Sequence, residues 1–312
     1  MSERPPEDRI WDLLRGALAT RALAIVADLG VPAALADGPR PVRELAPGAD
    51  ADTVHRLLRA LASDGVFAEE KPGVFRHTDA SRLLVGPGWS DFAHLFGGIW
   101  HGAAGALEPD GEPSFARVHG TGFWEWLADH PAERAAFDRA MVVGTERRIG
   151  RLAAAQWRGD ETVVDVGGGN GSTLLELLKH HPGLRGVVFD LPETAVGELG
   201  ERIEFLAGSF FERVPTGDAY ILAGILHDWD DERAAAILRT VRAAAPAHAR
   251  LYVIDAVVAP GNDADGSKWL DLLVLALLRG RERDEGQWRT LFDGTGWEPE
   301  SIEHGLIALT CR

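Results

Sequence analysis

The sequence predicts an α/β protein whose second half is a doubly wound, mostly parallel seven-stranded sheet, preceded by a mainly helical N-terminal part. Three observations lead there. From Glu161 onward, short apolar runs of strand length alternate with helical stretches. A glycine-rich loop follows the first of these runs and opens a helix. Before residue 86 the apolar residues recur at helical spacing instead.

In the first 85 residues, Ile10, Leu13, Leu14, Ala17, Leu18, Ala22, Ile25, Val26 and Leu29 form one stripe, ended by Gly30 with Pro32 beyond. Val42 to Leu45 and Thr53 to Ser63 read as two helices across a turn. Gly65-Val-Phe-Ala and Gly73-Val-Phe-Arg read as a hairpin. Helix, turn, helix and hairpin make a winged-helix pattern. DNA binding needs phosphate-neutralising cations, yet 41–85 holds six Lys/Arg against seven Asp/Glu. The segment therefore reads as a dimerisation module, and boundaries at 1–85, 86–157 and 158–312 follow. The middle segment is helical, broken by Gly/Pro at 86–88 and 109–113.

In the last segment, strands are expected at Thr162–Val166, Gly186–Asp190, Ile203–Leu206, Ala219–Ala223 and Leu251–Asp255. Helices are expected at Ser172–His180 and 231–245. Trp297–Glu303 and Leu306–Cys311, pivoting at Gly305, form an antiparallel terminal pair.

Composition narrows the function. The chain of 312 residues has 32 Lys/Arg against 48 Asp/Glu, a net of −16, which disfavours nucleic acid and anionic membrane as partners. Its one cysteine, Cys311, excludes an internal disulfide and a cysteine-rich metal site. No H-x-H or C-x-x-C spacing suggests a metal, so none is expected. The longest apolar run, Leu270–Leu278, is too short to span a bilayer and carries Asp271. The opening MSERPPEDRI does not read as a secretory signal, and a cytoplasmic protein is expected. Several of the ten tryptophans cluster between Trp89 and Trp126, as in a flat apolar pocket wall.

Asp165-Val-Gly-Gly-Gly-Asn-Gly171 leaves the first strand. Glycines 167, 169 and 171 permit close backbone approach of a ligand at a helix N-terminus. The spacing is G-x-G-x-G, not the dinucleotide G-x-G-x-x-G. Asp190 ends the second strand, where a carboxylate accepts ribose hydroxyls, so an adenosine-containing cofactor is expected. His227 follows the fourth strand at the crevice end of the sheet. Asp255 ends the fifth strand beside it, and together they suggest a base oriented by an acid.

The order DVGGGNG, FDLP, GSFF, LHDWDD and GRER resembles that of S-adenosylmethionine-dependent small-molecule O-methyltransferases of the caffeate-methyltransferase type, in their bacterial natural-product branch. The resemblance covers nearly the whole chain and implies a Rossmann-like catalytic domain behind a homodimer-forming N-terminal part. It implies His227 as general base, with Asp255 and Glu282 as its acids. It places Thr145, Asp165, Gly167, Gly169, Asp190, Leu191, Ser209, Phe210 and Gly224 on the cofactor, S-adenosyl-L-methionine. It places Trp124, Phe137, Met141, Asp228, Trp229 and Asp271 on an aromatic acceptor. Ser209 stands where many relatives have an adenine-binding Asp, Gly224 where many have Lys or Arg, and Asp284 where Thr is usual. Little room for a helix is left between Leu191 and Arg202. The reaction so implied is methyl transfer to a phenolic oxygen by in-line displacement. Two alternatives are hydroxylation or decarboxylation on the same fold, and a ligand-binding transcriptional regulator.

Overall fold

A computed structural model describes residues 5–194, 199–303 and 305–312, with the side chains of 146–148 excepted. It packs as two units: the chain up to Ala106 with Trp124–Val143, and Leu107–Phe123 with Gly144–Arg312. The segment 86–157, expected as one connector, is therefore divided between them. Arg21 Nη1 donates to the Gly97 carbonyl at 2.8 Å, which ties the helix Trp89–Gly97 to the first helix. Gly144, in the left-handed region at φ 79°, begins the second stretch of that unit ahead of the helix Thr145–Ala153.

In the first unit a helix runs Pro6–Asp28 and Gly30 ends it with φ 71°. Its second half buries Ala22, Ala24 and Val26, but Ile10, Trp11, Leu13, Leu14 and Leu18 are exposed. The helix Ala51–Ser63 starts earlier than its periodicity implies because Asp50 accepts the Thr53 N–H at 2.8 Å. Three strands, β1 (Arg40–Pro41), β2 (Phe67–Lys71) and β3 (Val74–His77), are ordered β1-β3-β2. The expected hairpin strands began at Gly65 and Gly73. Both glycines have positive φ, 77° and 74°, so they form turns and the strands start later. Val26, Val31, Leu35, Leu45, Leu58, Phe67 and Phe75 form the core.

The second unit holds seven strands: β4 (Thr162–Val166), β5 (Arg185–Asp190), β6 (Ile203–Ala207), β7 (Ala219–Ala223), β8 (Arg250–Ile254), β9 (Trp297–Glu303) and β10 (Leu306–Cys311). Their order is β6-β5-β4-β7-β8-β10-β9. The first five in that order are parallel, and β10 runs antiparallel to both β8 and β9. Side chains alternate between two buried layers. Val164, Val166, Tyr220 and Leu222 pack on the helices Asp231–Ala244 and Glu285–Phe292; Val163, Ile221 and Tyr252 pack on the helix Ser172–His180. Each fully buried aliphatic side chain contributes about 1.5–3 kcal/mol. Strand order reverses between β4 and β7, which opens a crevice at their carboxyl ends. After Asp190 the described residues make a single 3-10 turn, Pro192–Thr194; 195–198 and His304, with that part of the expected short connection, lie outside the described residues.

Candidate active site

The loop after β4 is built from glycines because its backbone demands them. Gly167, Gly169 and Gly171 have φ of 74°, 53° and 75°. A Cβ on Gly167 would strike Ile225, and one on Gly171 would strike Leu199 and Val188. One on Gly169 would meet nothing within 4 Å, so that side of the loop is open. Gly168 makes room for Asp165, whose carboxylate would lie 2.7 Å from a Cβ there, a function the glycine spacing alone does not reveal.

Asp190 closes the other side. Its Oδ2 accepts the Gly169 N–H and its Oδ1 the Leu191 N–H, each at 2.7 Å, so two backbone donors set the plane of a half-exposed carboxylate. Asp165 behind it is buried, and its Oδ2 has no hydrogen-bond partner among the described residues. Burial, and then the charge of Asp190, push its carboxyl up to about 7. Thr145 is buried at the first turn of its helix. Ser209 Oγ accepts the Phe211 N–H at 3.3 Å and so shapes the turn after β6.

His227 stands on the one-turn helix Leu226–Asp228, just past β7. Its Nδ1 is 2.6 Å from Glu282 Oε1, and its Nε2 is 3.4 Å from Asp228 Oδ1. Asp255, one residue beyond β8, was expected to hold the ring. It is buried nearby, yet neither of its oxygens makes a hydrogen bond. Of the two acids expected at the ring, Glu282 alone among the described residues bonds it at Nδ1, because its loop crosses directly over the histidine turn. Burial disfavours the imidazolium, but Asp228, Asp255 and Glu282 outweigh it and hold the His227 pKa well above its ordinary value. Burial raises Asp255 and Asp228, against the pull of the histidine.

The two acidic motifs form one object. Arg281 N donates to the His227 carbonyl at 2.8 Å. Gly280 lies so close that a Cβ would collide with the His227 carbonyl oxygen and the Asp228 backbone. Arg283, fully buried, donates to the Leu226 and Trp229 carbonyls at 2.9 Å each and to Asp231, with its guanidinium 5.3 Å from the Trp288 ring centre. In the sequence Arg283 stands only as the last residue of GRER, and an arginine directly after the acid Glu282 was the available signal.

Three residues expected at the acceptor have other partners here. Asp228 faces His227 Nε2, as above. Asp271 accepts the Glu282 N–H at 2.7 Å and fixes the loop carrying that acid. Trp229 stands edge-on to Phe211 and Phe210, with ring centres 4.8 and 6.1 Å apart, and Arg233 lies 5.4 Å from its ring centre. The aromatic edges and the cation account for its placement beside the expected cofactor residue Phe210. Gly224, at φ 65°, leaves space next to His227 Nε2, which would lie 3.8 Å from a Cβ. Trp124, Phe137 and Met141 belong to the other packed unit, where the Trp124 and Phe137 rings meet edge to face at 5.6 Å. Among the described residues no His/Cys/Asp/Glu group is arranged to hold a metal, and no helix is long and apolar enough to cross a membrane.

Comparison with known proteins gives two family matches, an O-methyltransferase domain over residues 100–298 and an O-methyltransferase dimerisation domain over residues 11–87. The phenazine O-methyltransferase PhzM of Lysobacter antibioticus is 35% identical, with 96% of this chain and 93% of the relative aligned. The mitomycin biosynthesis 6-O-methyltransferase of Streptomyces lavendulae is 36% identical over 94% of this chain and 90% of its own. The solved structure of LaPhzM superposes with a TM-score of 0.93 at 32% identity, covering 99% of this chain and all of that one. That of NcsB1, an O-methyltransferase from neocarzinostatin biosynthesis solved with S-adenosyl-L-homocysteine and 1,4-dihydroxy-2-naphthoic acid, has a TM-score of 0.78 at 31% identity, covering 94% and 96%.

Proposed function

The chain belongs to the O-methyltransferase family and is an enzyme, and on that premise we propose that it methylates a phenolic oxygen of an aromatic natural-product intermediate, with His227 as general base. The observation that carries this reading is the 2.6 Å pairing of His227 Nδ1 with Glu282, at the end of β7 next to the glycine loop.

S-adenosyl-L-methionine suits the cradle. The open side of Gly169 admits a ligand against the backbone, Asp190 offers acceptors at a strand end for ribose hydroxyls, and the orphaned oxygen of Asp165 calls for a donor. When bound, this cofactor supplies an electrophilic methyl group on a sulfonium. The protein's contribution is to bind, to orient and to accept a proton. With Nδ1 given to Glu282, Nε2 is the nitrogen left to take the acceptor's proton as its oxygen attacks. A free phenol and a free imidazole differ by about 3.5 pKa units, roughly 5 kcal/mol. The three acids around His227 make it more basic and narrow that gap, at the cost of a smaller neutral fraction near pH 7. Alignment of two bound reactants contributes roughly 7–11 kcal/mol more. The exposed half of the first helix, within the dimerisation match, supports a homodimer.

The test is incubation with isotopically methyl-labelled S-adenosylmethionine and a panel of phenols, naphthols and phenazinols, with mass detection of products. Label appearing on a phenolic oxygen supports the reading. Hydroxylated or decarboxylated products without label would overturn it.

A further inference from the structure

Glu282 leaves His227 Nε2 for the acceptor, and the charges around that nitrogen decide which acceptor can approach it. Asp228 Oδ1 lies 3.4 Å from Nε2, and the side chains of His227 and Asp228 keep 19% and 14% of their surface exposed, whereas that of Glu282 keeps none. A molecule that reaches Nε2 therefore meets the Asp228 carboxylate beside it. Asp255 is buried close by, with no hydrogen bond to either oxygen among the described residues. One imidazole thus stands among three acids. Little balances them. Arg283 draws on Asp255 by charge, but it is wholly buried and committed to the Leu226 and Trp229 carbonyls and to Asp231. Arg281 is drawn to Asp231 as well. Gly224, whose Cβ would lie 3.8 Å from Nε2, brings no side chain and no charge.

We propose that this acidic cluster selects the acceptor by charge: the group next to the reacting hydroxyl is uncharged, as in an amide, an ether or a second hydroxyl, and phenols with a carboxylate there are rejected. The inference rests on the phenolic reading with His227 as base, and adds to it the class of phenol. In a salicylate-type acceptor the carboxylate sits on the carbon next to the one that carries the hydroxyl. Whichever way the ring turns, bringing the hydroxyl to Nε2 brings the anion into the field of the three acids. Like charges at that range, with little water between them, repel strongly. The cluster already holds its own charge with difficulty. Burial raises Asp228 to about 6 and Asp255 to about 7 against the pull of His227, and Glu282 adds to both rises. A further anion would also fix the proton on His227, and a protonated imidazole cannot take the acceptor's proton. A carboxylate at a remote ring position escapes both effects. Rejection by unpaired like charge is a general route to specificity.

The experiment is calorimetric binding of two matched pairs of naphthols to the full chain loaded with S-adenosyl-L-homocysteine. In 3-hydroxy-2-naphthoic acid and its amide the variable group flanks the hydroxyl. In 6-hydroxy-2-naphthoic acid and its amide it lies at the far end of the rings. The flanking acid is expected to bind about tenfold or more weakly than its amide, and the remote acid within about threefold of its own amide. Asp228→Asn removes the accessible charge and is expected to shrink the flanking ratio by about threefold or more. Asp255→Asn, which keeps the shape of the residue, is expected to shrink it through the buried charge, and serves if the first variant fails to fold. A flanking acid that binds as tightly as its amide, equal penalties in both pairs, or a flanking ratio that neither variant moves overturns the proposal. Binding is read without methyl transfer, so each of these results leaves the phenolic reading standing. If neither amide binds, the phenolic reading itself fails, and the inference with it.

Discussion

Nδ1 of His227 lies 2.6 Å from Oε1 of Glu282, two residues 55 positions apart in the chain. The contact fixes the tautomer and leaves Nε2 towards Asp228. His227→Ala is expected to lower turnover by roughly 10²–10⁴-fold with cofactor affinity, measured by calorimetry, within twofold of wild type. Turnover within a few-fold of wild type would remove His227 as the base.

The pH dependence follows from the same cluster. The three surrounding acids raise the His227 pKa against burial, so the active neutral form appears only as pH climbs past its ordinary value near 6.5. The acid limb of kcat is expected well above that value, and Glu282→Gln is expected to move it down. The stability consequence has the opposite direction. The native-state proton stabilises the fold fully below about pH 6.5 and is lost as pH rises through the raised value. Thermal melts across pH 6–10 of wild type and His227→Gln measure that difference; parallel curves would contradict it.

Asp255 and Glu282 separate in rate. Glu282→Gln weakens the hydrogen bond at Nδ1 that orients the ring, whereas Asp255, with no hydrogen bond among the described residues, acts on it through charge. Glu282→Gln is expected to lower kcat by at least tenfold more than Asp255→Asn. The reverse order would return the orienting role to Asp255.

Arg283→Met retains bulk but leaves the Leu226 and Trp229 carbonyls without their charged donor. Such bonds are worth about 1.5–3 kcal/mol each, so urea unfolding is expected to show a loss of about 3 kcal/mol or more. A loss under 1 kcal/mol would mean the loop is held by other contacts.

For the cofactor, Asp190→Ala removes the acceptor aimed by Gly169 and Leu191 and is expected to raise the Kd for S-adenosylmethionine at least tenfold by calorimetry. An unchanged Kd would move the ribose site elsewhere.

The first helix leaves Leu14 and Leu18 exposed at 69% and 76%. A homodimer is expected in sedimentation, and the pair Leu14→Asp with Leu18→Asp is expected to sediment as a monomer. A dimer unaffected by those changes would place the interface on another surface.

Local pattern determined most of the fold. The first and fourth strands of the sheet, and the helix behind the glycine loop, fall on the residues that apolar runs and turn chemistry indicate. The loop's three positive-φ glycines were readable because only glycine tolerates that backbone. His227, Asp165 and Asp190 stand at strand ends, where the sequence placed them, because such ends mark the crevice in a sheet of this kind. What the sequence could not decide is which acid grips the histidine. Asp255 and Glu282 both lie downstream of His227, and periodicity carries no information on contacts across loops. Arg283 settles that choice through tertiary structure. It draws the 280–283 loop onto the histidine turn, Asp271 pins the Glu282 backbone, and Asp255 is left buried beside the ring without a bond.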